Sequence, residues 1–399
     1  MTIRMSNVPR PLARQTEDNV LFAFSGAQGQ VVVQGAAQPA MVPRGTAKTL
    51  AVRLDQAFAA APPGTVIGGT LAFDRADADC LWQGQPRPGP VPPVTAALPV
   101  QDWTVSAQPE APSYARAVAR ALAIMANEAG QPDALEKIVL ARSLLVRGSA
   151  PISVPALMQR LGTDPAATAF CTALPSRGGQ PRWLCGATPE LLLSKTGARI
   201  ASHPLAGSAR RLADPHADQQ SAAALMASDK DHREHALVVE SILDVLAPWC
   251  RNLGAPEGTR LTSTRSMWHL GTRIEGVLKD ADMPSAVLAA ALHPTPAVCG
   301  VPMARANALI RDLEPVARDF YAGAVGWCDA RGDGAWHVAI RCAEISGCEA
   351  RLYAGAGIVP GSDPMAEAAE TGAKFGALLT ALGLSPEAGL AGVTRDEVK

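Results

Sequence analysis

The 399-residue sequence has almost no net charge, because 36 lysine and arginine residues are balanced by 37 aspartate and glutamate residues. Proteins that bind nucleic acid or an anionic membrane surface usually carry an excess of basic residues. The formal charge of −1 therefore argues against both partners. A small or neutral partner molecule fits this composition better.

Long apolar segments are missing as well. No run reaches the roughly 18 uninterrupted apolar residues that a membrane-spanning helix needs. Residues 1–14 include basic side chains but no apolar segment followed by a cleavage site, as a secretory signal would have. The sequence therefore predicts a cytoplasmic protein without a membrane segment.

The eight cysteines form no CxxC pair and no regular spacing. A set of this kind is typical of reduced, buried thiols that pack as small apolar side chains. The sequence predicts buried thiols rather than a disulfide framework.

Signature loops of several enzyme classes are also absent. There is no GxxxxGK[ST] loop for nucleoside triphosphates and no GxSxG elbow of a serine hydrolase. The glycine-rich residues 355–357 do not form GxGxxG, and no acidic residue follows about twenty positions later, as a dinucleotide site requires. His232 and His235 are spaced for zinc, but the segment is not HExxH and no third ligand is evident. These four functions are therefore disfavoured.

The organisation along the chain is that of a mixed α and β protein. Length alone favours two or three domains, and the proline-rich residues 84–99 have the composition of a loop or linker. Thr196 and Gly197 predict a hairpin turn, since they separate two apolar runs. Three later runs, at 323–328, 336–345 and 351–353, are divided by turn-forming residues and predict an antiparallel meander.

Two predicted helices carry acidic residues that could bind a hard cation. Glu234 lies near the start of a helix from Asp229 to about residue 247. A second helix, capped by the sequence Ser-Asp-Pro at 362–364, places Glu367, Glu370 and Lys374 on one face. Two glutamates one turn apart can direct oxygens at one Mg²⁺ ion. By spacing alone, however, such a pair is more often a solvated face stabilised by the helix dipole.

Lys137 interrupts an otherwise apolar strand-like run, Lys-Ile-Val-Leu-Ala-Arg. A lysine in such a position is usually an edge or surface residue. Burial disfavours the charged form of a lysine, so a buried Lys137 could act as a general base.

Eight segments together resemble the chorismate-utilising enzymes, and among them the isochorismate synthases. In the order of the family, they are KIVLAR from Lys137, GATPELL from Gly186, SHPLAGSARR from Ser202, DKDHREH from Asp229, HPTPAVCG from His293, AIR from Ala339, GAGIVPGSDP from Gly355 and EAAETGAK from Glu367. The resemblance covers roughly residues 110–385. It implies an α+β fold in which antiparallel sheets are flanked by helices. Residues 106–390 would form the chorismate-binding catalytic domain, and residues 1–105 a weakly matched, strand-rich part of the same compact unit.

The resemblance also implies a reaction and the residues that perform it. Water adds at ring carbon 2 of chorismate, the ring double bonds shift, and the hydroxyl on carbon 4 leaves. Lys137 corresponds to the base that activates water, and Glu190 to the acid that protonates the departing hydroxyl. Glu190 must then be protonated near neutral pH, so we expect its pKa to be raised by burial or by a neighbouring carboxylate.

The remaining correspondences concern metal and substrate. Glu234 and Glu370 match the family's Mg²⁺ ligands, and Glu367 is near enough to bind the ion directly or through water. The ion would bind the ring carboxylate of chorismate. The positions expected to contact the substrate are Gly207, Ala297, Arg341, Gly355 and Lys374.

The same scaffold serves several reactions, and Ala206 helps to choose among them. Aminodeoxychorismate synthases typically carry at this position a lysine that attacks carbon 2, and alanine cannot do so. The run Pro-Leu-Ala-Gly-Ser from Pro204 differs from the anthranilate synthase motif, so no glutaminase partner is expected. Many relatives are monomers. Salicylate synthase, which goes on to eliminate pyruvate, is the nearest alternative, although Ala297 favours the isomerase. A non-catalytic chorismate-binding protein is the other alternative, and the presence of Lys137 and Glu190 argues against it.

Overall fold

The computed structural model describes residues 20–35, 40–87 and 102–390. Residues 1–14, which bear on targeting, lie outside the described residues, as does the predicted linker from residue 88 onwards. The strands, in chain order, are β1 (Val20–Gly26), β2 (Gly29–Gln34), β3 (Ala40–Met41), β4 (Val66–Leu71), β5 (Cys80–Gly84), β6 (Trp103–Gln108), β7 (Lys137–Gly148), β8 (Thr168–Arg177), β9 (Gln180–Thr188), β10 (Leu191–Thr196), β11 (Arg199–His203), β12 (Leu205–Arg210), β13 (Cys250–Gly254), β14 (Thr259–Ser263), β15 (Met267–Thr272), β16 (Ile274–Leu278), β17 (Gly300–Val301), β18 (Ala324–Asp329), β19 (Gly334–Val338), β20 (Cys342–Ser346) and β21 (Glu349–Ile358).

The helices pack around these strands. They are α1 (Leu50–Ala59), α2 (Ala111–Glu128), α3 (Val154–Leu161), α4 (Pro215–Met226), α5 (Asp229–Leu246), α6 (Ser285–Leu292), α7 (Met303–Leu313), α8 (Pro364–Lys374) and α9 (Gly376–Leu382). The predicted helix from Asp229 is confirmed as α5, and the Ser228 hydroxyl accepts a hydrogen bond from the Asp231 amide at its start. The second predicted helix is α8, where the Asp363 side chain caps the amides of Met365 and Ala366.

The strands form three sheets. The first has the order β17-β7-β21-β20-β9-β8-β1-β2, with β6 beside β7, and the second has the order β13-β16-β11-β10-β19-β18-β4-β5-β3. The third consists of β12, β15 and β14. Every strand pair among the described residues is antiparallel. The expected α+β fold with antiparallel sheets is thus confirmed.

The main hydrophobic core contains side chains from both large sheets. Phe22 and Ile138 of the first sheet belong to the same buried cluster as Ile67 and Trp336 of the second. A smaller cluster joins the first sheet to α3 and α9. Burying both large sheets in this way removes a great deal of apolar surface from water, which is the main favourable contribution to folding. It also fixes the sheets relative to each other.

The N-terminal strands complete both large sheets. Strand β1 pairs with β8 in the first sheet, and β4 pairs with β18 in the second.

The hairpin predicted at Thr196 and Gly197 is confirmed, since Thr196 faces Arg199 across β10 and β11 and Gly197 has φ of +57°. The cysteines are free thiols and all but Cys348 are buried, as expected. No helix within the described part of the chain is long and apolar enough to cross a membrane.

The C-terminal meander was predicted incorrectly in one respect. Residues 336–345 form not one strand but parts of two, β19 in the second sheet and β20 in the first. The chain passes between the sheets at residues 339–341, where Arg341 has φ of +50°. The run is mostly apolar, and β19 is buried on both faces, so the composition does not reveal the break.

A second crossing lies directly beside this one. Between β9 and β10 the chain passes from the first sheet to the second through Pro189 and Glu190. The Ala187 amide donates a hydrogen bond to the Arg341 carbonyl (3.1 Å), and the Val338 amide donates one to the Glu190 carbonyl (3.1 Å). The paired crossings therefore hold Glu190 and Arg341 side by side.

Candidate active site

An open cleft with a cavity volume of about 70 Å³ lies where the paired crossings meet the third sheet, β21 and α8. Most of the predicted site residues line it: Glu190, Gly207, Glu234, Ala297, Arg341, Gly355, Glu370 and Lys374. Segments that are far apart in the sequence are thus brought to one cleft. Two predicted site residues, Lys137 and Glu367, do not line the cleft.

Glu190 is 3 % exposed at the first crossing. Burial raises the pKa of its carboxyl group to about 7, although the Leu205 amide and the charges of Lys137, Lys374 and Arg341 act in the opposite direction. The pKa is therefore raised as expected, and burial is the cause. A carboxyl group with this pKa can give up a proton close to neutral pH.

Arg341 and Lys374 supply positive charge on the cleft wall. Burial lowers the pKa of the Arg341 guanidinium to about 10, which still leaves it charged at neutral pH. The Lys374 ammonium donates to the Gly355 carbonyl (2.9 Å) and forms an ion pair with Oε1 of Glu370 (2.6 Å). A ligand with carboxylate groups can therefore find two cations in the cleft.

The three carboxylates proposed as metal ligands each have a lysine partner. Besides the Lys374–Glu370 pair, Nζ of Lys230 lies 2.7 Å from Oε1 of Glu367. Nζ of Lys137 lies 3.0 Å from Oε1 of Glu234. The pairing keeps the buried negative charges compensated.

Lys137 is completely buried and does not line the cleft. Its Nζ is close to Glu234 but makes no hydrogen bond of acceptable angle with any of the described residues. The contact with Glu234 is thus mainly electrostatic, and Nζ of Lys137 keeps unused hydrogen-bonding capacity. Val139, two residues further along β7, does line the cleft, so Lys137 lies on the same face of the strand just beyond it.

Glu367 and Glu370 have opposite protonation tendencies. Burial and the charge of Glu370 raise the pKa of Glu367 above its usual range, despite the ion pair with Lys230. Burial would also raise the pKa of Glu370, but Lys374, the Ser208 hydroxyl and Lys230 together lower it. Two carboxylates that repel each other in this way favour binding of a cation.

The donor set fits a hard divalent cation. Within residues 20–35, 40–87 and 102–390, no three histidine, cysteine, aspartate or glutamate side chains are already arranged as a metal cluster. Glu234 and Glu370 nevertheless line one cleft with oxygen donors, which Mg²⁺ prefers. A Cβ atom at Gly357 would clash with Oε1 of Glu234, so the glycine leaves the space that this carboxylate occupies.

We expect Gly357→Ala to displace the Glu234 carboxylate and to raise the Mg²⁺ concentration needed for half-maximal activity. Gly254→Ala is the matched control, because a Cβ atom there would meet nothing within 4 Å. Magnesium titrations of both variants measure the effect. Equal midpoints in the two variants would contradict a role for this carboxylate in metal binding.

The cleft is also lined by Ser208, His269 and Tyr321, which the sequence patterns do not single out as site residues. The His269 imidazole is buried, its Nε2 has no partner among the described residues, and burial together with the charges of Arg341 and Lys374 holds its pKa well below the usual range. Tyr321 stacks on Tyr353 with ring centroids 4.8 Å apart. A histidine on a buried strand is most often a core residue, so its position gives little signal. Tyr321 gives only a slightly stronger signal in the sequence, as one of three tyrosines in the chain.

Comparison with known proteins identifies the family of this chain. Residues 94–383 match the protein family described as chorismate binding enzyme. The chain is 45 % identical over 279 residues to the isochorismate synthase DhbC of Bacillus subtilis (strain 168), an alignment that covers 69 % of each chain. The solved structure of DhbC from Bacillus anthracis is 36 % identical, with a TM-score of 0.83, and the match covers 92 % of this chain and 97 % of that one. MenF, the menaquinone-specific isochorismate synthase from Escherichia coli, is 25 % identical, with a TM-score of 0.74 and coverage of 92 % and 90 %. The chain belongs to the chorismate binding enzyme family.

Proposed function

We propose that this protein is an isochorismate synthase, an isomerase that converts chorismate to isochorismate. The observation that carries the proposal is the buried carboxyl of Glu190, whose pKa is raised to about 7, held beside Arg341 in a cleft that also contains Lys374. The names of the relatives that match this chain support the same activity.

Chorismate carries two carboxylates and a ring hydroxyl, and the cleft offers groups for each. Arg341 can hold one carboxylate with two parallel hydrogen bonds, and Lys374 adds a second cation. The Glu190 carboxyl can then donate its proton to the hydroxyl on carbon 4, which leaves as water. Ala206 on the cleft wall has no nucleophilic side chain, which supports water as the nucleophile in this proposal.

Lys137 is the base in this proposal. The attacking water forms a bond to ring carbon 2 and gives a proton to Nζ of Lys137, which acts as the base. The electron pairs of the two ring double bonds shift as the bond from carbon 4 to its oxygen breaks. Water is gained at one carbon and lost at another, so the reaction is an isomerisation and needs no oxidant. The pairing of Lys137 with Glu234 fixes the direction of its Nζ.

Glu234 and Glu370 would hold a Mg²⁺ ion, with Glu367 binding directly or through a water molecule. When bound, the ion would supply positive charge to the ring carboxylate of the substrate. The ion pairs of these carboxylates with lysines support this role, because each carboxylate is oriented towards a positive charge. No glutaminase partner is needed, since the nucleophile is water.

A product analysis tests the proposal. The purified protein is incubated with chorismate and Mg²⁺, and in parallel with EDTA, and the products are separated by chromatography while released pyruvate is assayed. We expect isochorismate with Mg²⁺, none with EDTA, and no pyruvate. Salicylate with pyruvate would instead identify a salicylate synthase. Chorismate that binds but is not converted would identify a non-catalytic binding protein.

A further inference from the structure

Strand β7 has a gap along one of its edges. On one side it pairs with β21 from Ile138 to Arg147 without interruption. On the other side β17 pairs only with Lys137 and Ile138, and β6 pairs only from Ser143 onwards. Residues 139–142 are buried but have no neighbouring strand on that edge, where the Val139 amide donates to the Cys299 carbonyl of the loop before β17 (2.8 Å). Buried backbone groups must find partners elsewhere.

Two side chains fill much of this gap. The Ala141 amide donates to Oε1 of Glu314 (2.7 Å), and the Val139 carbonyl accepts from Nη2 of Arg318 (2.7 Å). Glu314 and Arg318 also bind each other, with Nε of Arg318 2.9 Å from Oε2 of Glu314. Their side chains are 6 % and 3 % exposed. The pair thus takes the place of a strand.

The same guanidinium reaches a second wall of the cleft. Nη1 of Arg318 donates to the Val298 carbonyl (2.6 Å), and the guanidinium lies 4.3 Å from the ring centroid of Phe73. Val139, Val298 and Ala297 all line the cleft. One planar group therefore sets the spacing between β7 and the loop before β17.

We infer that Arg318 and Glu314 are positioning residues for catalysis, which hold β7 and the Val298 loop in the geometry that the cleft requires. Neither side chain is expected to touch the substrate. Lys137 lies two residues before Val139 on the same strand face, so a shift of the edge at Val139 also shifts Nζ of Lys137. Lysine cannot replace arginine here, because a point charge cannot reach two carbonyls and a carboxylate at once.

The test compares Arg318→Lys with Arg53→Lys. Arg53 makes the same kinds of contact, since its guanidinium donates to the Asp79 carboxylate and to the carbonyls of Pro43 and Thr46. Unlike the contacts of Arg318, these do not involve residues of the cleft. We expect Arg318→Lys to lower kcat by about 10²-fold, the effect of roughly 1 Å of misplacement. Its KM should change less than about threefold, since Arg341 and Lys374 are untouched. Arg53→Lys should lower the melting temperature while kcat stays unchanged. Equal kcat values in the two variants, or a loss confined to KM, would overturn the inference.

Glu314 provides a rescue experiment that does not depend on Arg318→Lys folding. Glu314→Gln keeps an oxygen that can accept from Ala141, whereas Glu314→Ala removes it. We expect kcat of the glutamine variant to be at least tenfold higher than kcat of the alanine variant. A factor of about ten corresponds to the loss of one hydrogen bond to a buried backbone amide. If the two variants have the same kcat, the acceptor has no positioning role.

The activity readout rests on the proposed function, so a second measurement is needed that does not. Amide hydrogen exchange reports local opening directly. Arg318→Lys should speed exchange in peptides that cover residues 137–143 and 296–300, and Arg53→Lys should not. A wild-type protein that leaves chorismate unchanged would refute the proposed function only. Unchanged exchange in Arg318→Lys would refute the positioning role, even if the wild-type protein is active.

Discussion

Replacement of Glu190 by glutamine is expected to lower kcat by about 10²- to 10⁴-fold, the usual contribution of a general acid. The amide has almost the same shape and can still accept the Leu205 amide that the carboxyl group binds. It cannot release a proton to the departing hydroxyl. Binding of chorismate, measured by calorimetry, should therefore be nearly unchanged while turnover is lost.

The pH dependence identifies the same group. Glu190 acts in its protonated form, and its pKa is about 7, so kcat/KM of the wild-type protein should fall as pH rises through this value. Glu190→Gln should lack this alkaline decline. Glu344→Gln is a suitable control, because Glu344 binds Arg182 away from the cleft. An alkaline decline that persists in Glu190→Gln would assign the acid to another residue.

Lys137→Ala is expected to abolish water addition, with a loss in kcat of about 10²- to 10⁴-fold. Lys137 does not line the cleft, so its removal should leave the affinity for chorismate largely intact. The change also leaves the Glu234 carboxylate without its buried partner, which costs stability. Turnover and calorimetric binding have to be measured together with the melting temperature.

Lys195 is the matched control for this loss of a buried lysine. It is 2 % exposed and its Nζ lies 3.0 Å from Oδ1 of Asp333, remote from the cleft. Lys195→Ala should lower the melting temperature to a similar degree but leave kcat unchanged. Lys137→Ala with wild-type turnover would exclude Lys137 as the base.

Sequence reasoning predicted the fold class, and through the family resemblance it predicted residues that the structure brings to one cleft. Composition and residue spacing alone predicted less about the site than the family resemblance did. Glu367 and Glu370 have the spacing of an ordinary solvated helix face, and only tertiary packing buries Glu367. The role of Arg341 as a turning point between sheets was not visible, because strands buried on both faces lack an alternating pattern.

The position of Lys137 shows a second limit. Its apolar neighbours predicted a strand, and the strand exists. Whether this lysine faces solvent, a cleft or a carboxylate on a helix depends on contacts with residues nearly a hundred positions away in the sequence. The edge filled by Glu314 and Arg318 is similar, since no local pattern indicates that two side chains replace a missing strand.

The pairing of β7 with β21 joins early and late parts of the chain. Contacts of such high sequence separation form slowly, because a long loop must close before they stabilise anything. During synthesis Glu190 leaves the ribosome long before Lys374, which lines the same cleft. The growing chain therefore remains unable to bind its substrate until α8 has been made. Until then the edge of β7 that pairs with β21 lacks its partner, and an unpaired strand edge is prone to aggregation.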